Sequence, residues 1–310
     1  MNVPSVPGFP KHSAPAGMAS KLRDYRLMRL STDQQAAFDN LYRTGVDCPD
    51  SADPLIRYVR DRRIRVAIKS LQRILSDSLS TWSCLVVCGG SGADGTLLAN
   101  LGLADVTVSD VSEVALRLSR ERDRRLKTMM LDAETMDLPA NSFDLVLVQD
   151  GLHHLPRPVL GFTEMLRVAR RAVVIIEPHA GIIGKALGQT WERTADAVNY
   201  VFRWDAGLLT QTTRSYLLDQ AAIYPSRIWN HNITLENVGR AVGGGRLGVG
   251  VAKALYALLN TPGPRWIGNT MIGIVVKRVQ STVGPQISAR LGHGHTTEPR
   301  GSPADNATPG

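Results

Sequence analysis

Residues 84–95 read Cys84-Leu85-Val86-Val87-Cys88-Gly89-Gly90-Ser91-Gly92-Ala93-Asp94-Gly95, and the fold is decided here. The run from Cys84 to Cys88 is apolar throughout, as expected of a strand buried on both faces. Glycines at 89, 90, 92 and 95 then force a turn, and a helix is expected to begin near Thr96. Glycine at a strand-to-helix turn lets backbone approach a ligand closely, and the helix N-terminus favours an anionic group. Taken alone, such a run also serves as a simple tight turn.

Outward from this turn the texture repeats. Short apolar runs VTVSD (106–110), MMLD (129–132), FDLVLVQ (143–149) and AVVIIE (172–177) alternate with helical stretches, and NTMIGIVVKR (269–278) supplies a final strand. Between two of them, Phe162, Met165, Leu166 and Ala169 mark one helix face. Strands that are apolar on both faces and separated by helices imply a sheet covered on both sides. Right-handed crossovers then leave an α/β fold with a doubly wound, mostly parallel seven-stranded sheet as the economical arrangement.

Upstream, Ile64, Ile68, Leu71 and Leu75 recur at helical spacing, which predicts a helical cap over 21–80. The expected core spans 81–180, an insertion acting as a substrate lid spans 181–264, and 265–280 returns to the core. Residues 1–20 and 281–310 are rich in Pro, Gly and Ser without an apolar period, and disorder is expected in both. His293 and His295 in the second tail are metal-ligand types, but a polar tail is the expected reading.

The 310 residues carry a net charge of +8 and 43% hydrophobic residues, enough for one core. Much of the positive excess sits in Arg57–Arg73 and Arg117–Lys127, which also read as solvated helix faces, so the charge does not by itself indicate nucleic acid. Leu247–Leu259 is too short to span a bilayer and contains Lys253. The N-terminus lacks a secretory pattern. Cys48, Cys84 and Cys88 form neither a disulfide framework nor a metal-ligand spacing. A reducing cytoplasm is the expected setting.

Three loops fall at the carboxyl ends of neighbouring strands, where open α/β sheets bind ligands: the glycine turn, the loop after Asp110 and the loop at Asp132-Ala133-Glu134. Gly90-Ser91-Gly92-Ala93-Asp94-Gly95 also matches a dinucleotide fingerprint loosely, but no Tyr-x-x-x-Lys pair appears in a catalytic position. The full run VVCGGSGADG, VSDVSE, LDAETMDLPANSFDLVLVQDGLHHL and ARRAVVIIEPH resembles class I S-adenosylmethionine-dependent methyltransferases, in particular the small-molecule enzymes related to the ubiquinone and menaquinone methyltransferases. The resemblance covers Leu85 to Glu177 and extends more weakly through Asn199–Arg203 and the final strand. Asp132 to Leu155 is its most specific part.

What the resemblance implies is a cofactor, S-adenosylmethionine, held by Cys88, Gly89, Gly90 and Gly92 at its methionine part. Asp110, with Val111 beside it, would take the ribose, and Asp132 and Ala133 the adenine edge, with Gln149 at the end of the next strand. Two positions depart from the family pattern. Val86 stands where the family has an acid that helps to hold the cofactor's ammonium group, and Cys88 replaces the first glycine.

Methyl transfer from a sulfonium is an in-line displacement, so alignment supplies much of the rate. A hydroxyl nucleophile also gains from a base. Asp150, His153 and His154 follow one strand and Glu177 the next. His153 is the first choice of base, because an imidazole titrates near neutrality, with His154 second. Asp150 and Glu177 orient substrate hydroxyls or, as in some sugar O-methyltransferases with a similar loop, hold Mg2+. Aromatic residues of the lid regions (Tyr25, Phe38, Tyr42, then Trp191, Tyr200, Phe202, Trp204, Tyr216, Tyr224, Trp229 and His231) either line the acceptor pocket or fill local cores. The expectation is O-methylation of a sugar, glycan or other small metabolite. Carbon methylation of a quinone-like ring, RNA methylation and a non-catalytic binding domain are the alternatives. No separate RNA-binding module is visible.

Overall fold

The computed structural model describes residues 26–27, 31–44, 54–188, 190–194, 197–216, 221–230, 232–261 and 268–277. All of them belong to a unit spanning residues 1–278. Both expected disordered tails, with Tyr25, Cys48 and His231, lie outside the described residues.

Seven strands form one sheet in the order β4-β3-β2-β5-β6-β10-β9. They are β2 (Ser83–Val87), β3 (Asp105–Asp110), β4 (Lys127–Met130), β5 (Phe143–Gln149), β6 (Ala169–Pro178), β9 (Ala222–Ile228) and β10 (Thr270–Val276). The pairs from β4 through β6 are all parallel. β10 runs antiparallel to both β6 and β9. The central strands are apolar on both faces because both are covered. Cys84 and Val86 pack in the layer containing Ile64, Ile68 and Leu71, whereas Leu85 and Val87 pack with Phe162, Met165 and Leu166. A two-residue period thus serves two cores, and emptying either side by Leu→Ala would cost about 2–5 kcal/mol.

Six strand signals were visible in the sequence, and the seventh is β9. Its sequence AIYPSRI has no continuous apolar run, and Pro225 lacks a backbone N–H. An edge strand tolerates both, and β9 pairs on one side only. Residues 222–228, expected in the lid insertion, are therefore part of the main sheet.

The remaining strands build a small second sheet, β1-β8-β7, from β1 (Arg26–Leu27), β7 (Trp191–Thr194) and β8 (Ala197–Tyr200). Helices α1 (Ser31–Thr44) and α2 (Pro54–Leu75) precede the main sheet. Next come α3 (Ala93–Asn100), α4 (Glu113–Arg122), α5 (Pro158–Val168) and α6 (Ile182–Leu187). The last are α7 (Ala206–Ser215), α8 (Asn232–Ala241) and α9 (Gly245–Leu259). Leu55 and Val59 of α2 join Trp229, Leu235, Ala252 and Tyr256 in a satellite core that fastens α8 and α9. Among the described residues, no helix is long and apolar enough to cross a membrane.

Candidate active site

The carboxyl ends of β2, β3 and β5 open into a cavity of ≈ 390 Å³ that is also lined by residues of α1, α2 and β7. Cys88, Gly89, Gly90, Asp110, Val111, Ala133, Gln149, Asp150 and His154 all lie on its wall. Gly92, Asp132, His153 and Glu177 do not.

The glycine turn is shaped by close approach. Gly90 has φ +52°, and a Cβ there would lie 2.2 Å from the Tyr42 hydroxyl; Gly92 has φ +83°, and its Cβ would meet Ser119 Oγ at 2.2 Å. Cys88 occupies the same left-handed region at φ +51°, which accounts for glycine being the commoner choice there. Burial foremost, then the nearby Asp110 carboxylate, pushes the Cys88 thiol well above its ordinary range, which disfavours the thiolate.

Asp110 sits at the end of β3 and is held by backbone: Gly90 N–H donates to Oδ2 and Ser112 N–H to Oδ1, both at 2.9 Å. Its pKa is raised by burial against those bonds. Asp132 Oδ1 accepts from Glu134 N–H at 2.9 Å, which shapes the loop that brings Ala133 to the wall. Glu134 binds Arg157 and closes that loop from behind. Gln149 donates to Asp94 at 3.2 Å, while its Oε1 is buried without a hydrogen-bond partner.

Two arginines one helical turn apart on α2 reach into the floor. Arg60 pairs with Asp94, a cavity-lining carboxylate whose pKa burial raises. Arg63, only 4% exposed, grips Asp150 with both terminal nitrogens at 2.9 and 2.5 Å. Burial would raise the Asp150 pKa, but the Arg63 charge and hydrogen bonds outweigh it and hold the carboxyl below its ordinary value. The three-residue spacing of Arg60 and Arg63 was visible in the sequence, but it read there as a solvated helix face.

The histidine pair divides its work differently from the sequence expectation. Glu177 is fully buried, accepts from Gly151 and Leu152 N–H at 2.9 and 2.8 Å, and binds His153 Nδ1 at 2.7 Å. The other ring nitrogen, Nε2, lies 3.0 Å from Glu192 on β7. Burial alone would lower the His153 pKa, yet the two carboxylates push it up to about 10. His153 is thus an imidazolium locked between carboxylates. A ring held in its protonated form disfavours the base role expected of His153. Glu192 is drawn down to about 2 despite burial, chiefly by its bond to His153.

His154 stacks obliquely on His153 at 4.2 Å between ring centroids and meets the Phe38 ring edge-on at 5.3 Å. Burial and the adjacent His153 charge lower its pKa. It faces the cavity as a neutral imidazole. Asn199 on β8 fixes this corner by donating to the His153 carbonyl at 2.9 Å. Glu192 carried no sequence signal, because it comes from a strand remote in the chain, and Asn199 only that of the weaker resemblance over Asn199–Arg203.

The donor set does not fit magnesium. Both oxygens of Asp150 are engaged by Arg63, and those of Glu177 by backbone N–H groups and His153. Among the described residues, the group whose ligand atoms converge within 4.8 Å is His153, His154 and Glu192, two imidazoles and one carboxylate where Mg2+ demands oxygens. The expected Asp150–Glu177 metal pair is therefore withdrawn. Of the lid aromatics, Phe38 and Tyr42 reach the cavity. Trp204 instead packs edge-on against Phe162 and Phe202, and Trp229 lies in the satellite core.

This arrangement has relatives. The family description "Methyltransferase domain" matches residues 85–176. A demethylmenaquinone methyltransferase of Clavibacter sepedonicus is 34% identical over 89 residues, which are 28% of this chain and 36% of that protein. The chain thus matches about a third of the relative's length. A methyltransferase of Haloferax volcanii, solved in complex with the Trm112 activator, superposes with a TM-score of 0.53 at 13% identity, over 77% of this chain and 97% of that one. Magnesium protoporphyrin IX methyltransferase from Synechocystis PCC 6803, solved with bound SAH, gives 0.51 at 12% identity over 80% and 100%. At such identities the structures speak for the fold, and the sequence matches for the family of the segment. Residues 85–176 are thus similar to methyltransferase domains, within a fold shared with solved methyltransferases.

Proposed function

We propose that the chain transfers a methyl group from S-adenosylmethionine to a hydroxyl oxygen of a small polar metabolite or glycan, with His154 as the base. One observation carries this reading: a single cavity has the Gly90–Asp110 grip on one wall and the neutral His154 on another. The bound donor supplies an electrophilic methyl on a sulfonium. The residues present suit it. Gly89 and Gly90 leave room where a side chain would collide, and the orphan Oε1 of Gln149 seeks a donor. Asp94 lines the same cavity and offers the carboxylate that Val86 lacks, beside Arg60, which suits the opposite charge of an amino-acid group.

His153 does not move a proton in this scheme. Burial, and then the charge of His153, lowers the His154 pKa, and Glu192 lines the acceptor side. Residues of β7 and α1 line the cavity, and the displacement relies on alignment there. The test is calorimetric binding of S-adenosylmethionine followed by mass detection of methyl transfer to polyol and sugar acceptors. Failure to bind the donor in a folded protein would reduce the chain to a non-catalytic domain. A second reading, carbon methylation of a quinone-like ring, is favoured by the name of the Clavibacter relative and by the apolar wall of Phe38, Leu41, Ile56 and Leu155. Methylated product from a hydroquinone but from no polyol would favour that reading. A cytoplasmic location belongs to the same proposal.

A further inference from the structure

Helix α9, at the far end of the satellite core, has no polar face of the usual kind. Gly248, Ala252 and Tyr256 point inward and are buried. Gly248 meets α8 so closely that a Cβ there would lie 2.2 Å from the Gly239 carbonyl oxygen. The opposite side should carry charge on a water-facing helix. Instead Leu247, Gly250, Ala254 and Leu258 recur at spacings of three, four and four, with Val251 and Ala257 among them. Leu247 is 70% and Leu258 63% exposed, and Val242 at the end of the preceding turn is 40% exposed.

Charge borders this apolar face, and it has one sign. Arg246 and Lys253 flank it on one edge, and Arg240 stands across the Gly243-Gly244-Gly245 turn. Helix α9 itself carries Arg246 and Lys253 and no Asp or Glu. Beside the helix start, Pro54, Leu55, Gly239, Arg240, Arg246 and Val249 border an apolar cavity of ≈ 580 Å³. A nucleic acid would match the charge but not the leucines, and a second copy would match the leucines but not the one-signed charge. An anionic bilayer surface matches both, because cationic side chains meet its headgroups while apolar ones enter the acyl boundary. Fifteen residues rise only about 22 Å, short of a ~30 Å hydrocarbon core, so the helix lies on a bilayer and does not span it.

We propose that the outer face of α9 docks the protein onto anionic lipid bilayers, with the cavity beside Arg246 receiving an acyl chain. The experiment is flotation of the full chain with vesicles of phosphatidylcholine alone and of phosphatidylcholine mixed with phosphatidylglycerol, at low and high salt. The protein is expected to float with the anionic vesicles, less so at high salt, and to stay behind with the neutral ones. Leu247→Glu with Leu258→Glu, and separately Arg246→Glu, should each weaken that binding by about tenfold or more, while melting temperature and S-adenosylmethionine affinity stay at wild-type values. Equal recovery with both vesicle types, no recovery with either, or unchanged binding of both variants would overturn the proposal. So would self-association in scattering measurements that Leu247→Glu abolishes, or salt-sensitive binding to RNA in place of vesicles. None of these readings depends on methyl transfer, so the outcome is independent of the proposed activity.

Discussion

The Glu177 carboxylate meets the His153 imidazole at 2.7 Å with no exposed surface of its own, and with Glu192 it holds that ring in its charged form. Glu177 stands at the end of β6 and also accepts from the backbone of Gly151 and Leu152, so it shapes the loop after β5 and holds the ring in one stroke. A hydrogen-bonded pair of opposite charges in a dry site persists where an exposed one would be screened. The two carboxylates hold the ring in its charged form beside the cavity-lining His154.

That division predicts unequal effects for the two histidines. His154→Ala should lower turnover by about 10²–10⁴-fold with cofactor affinity near wild type, the usual cost of losing a general base. His153→Ala should instead lower melting temperature and alter the loop that it braces. Single-turnover rates beside calorimetric affinities separate the two. Loss of turnover with His153→Ala alone, in a folded protein, would return the base role to His153.

The same charge makes stability depend on pH on the alkaline side. The His153 pKa in the folded protein, about 10, lies above its ordinary value of 6.5. Its contribution is fully present below about 6.5, declines above it and is gone once the pH passes about 10. Thermal melts of the wild type should therefore fall across this window, and His153→Gln should flatten that fall. The lowered His154 pKa has the opposite consequence for activity: the acid limb of the rate profile should lie below the ordinary histidine range.

Removing the guanidinium that grips Asp150 should loosen the floor. Arg63→Met keeps the stem but strips both hydrogen bonds from a carboxylate that sits at φ +51°. Asp150 is itself partly exposed, so water recovers some of the loss, and a cost of about 1–3 kcal/mol is expected. Chemical denaturation measures it, and Arg63→Met with Asp150→Asn should recover part of the difference.

Asp110→Ala should weaken S-adenosylmethionine binding by about 1.5–3 kcal/mol, the worth of charge-assisted hydrogen bonds. Because Asp110 also anchors Gly90 and Ser112, Asp110→Asn is the companion variant. Calorimetry that finds both variants at wild-type affinity would remove Asp110 from the cofactor site.

Chelation should leave the rate unchanged. Neither Asp150 nor Glu177 has an oxygen lone of partners to give to magnesium. Activity abolished by chelator and restored by Mg2+ would refute this account of the two carboxylates.

The parallel strands were legible because a strand buried on both faces must be a short apolar run, whatever its neighbours. The glycine turn was legible because its backbone conformations exclude side chains, and Asp110 because strand ends in such sheets point to one edge. The edge strand Ala222–Ile228 was not, since pairing on one side leaves room for Pro225 and Arg227. Sequence thus determined six of the seven strands, the glycine turn at a strand end and the presence of two histidines after β5. Which histidine is neutral was decided only by tertiary structure. His153 and His154 are chemically equal neighbours in the chain, and the difference comes from Glu177 and Glu192, 24 and 39 residues away. Charge acts through space and falls with distance, so a carboxylate brought to 3 Å by a hairpin outweighs anything adjacent in sequence.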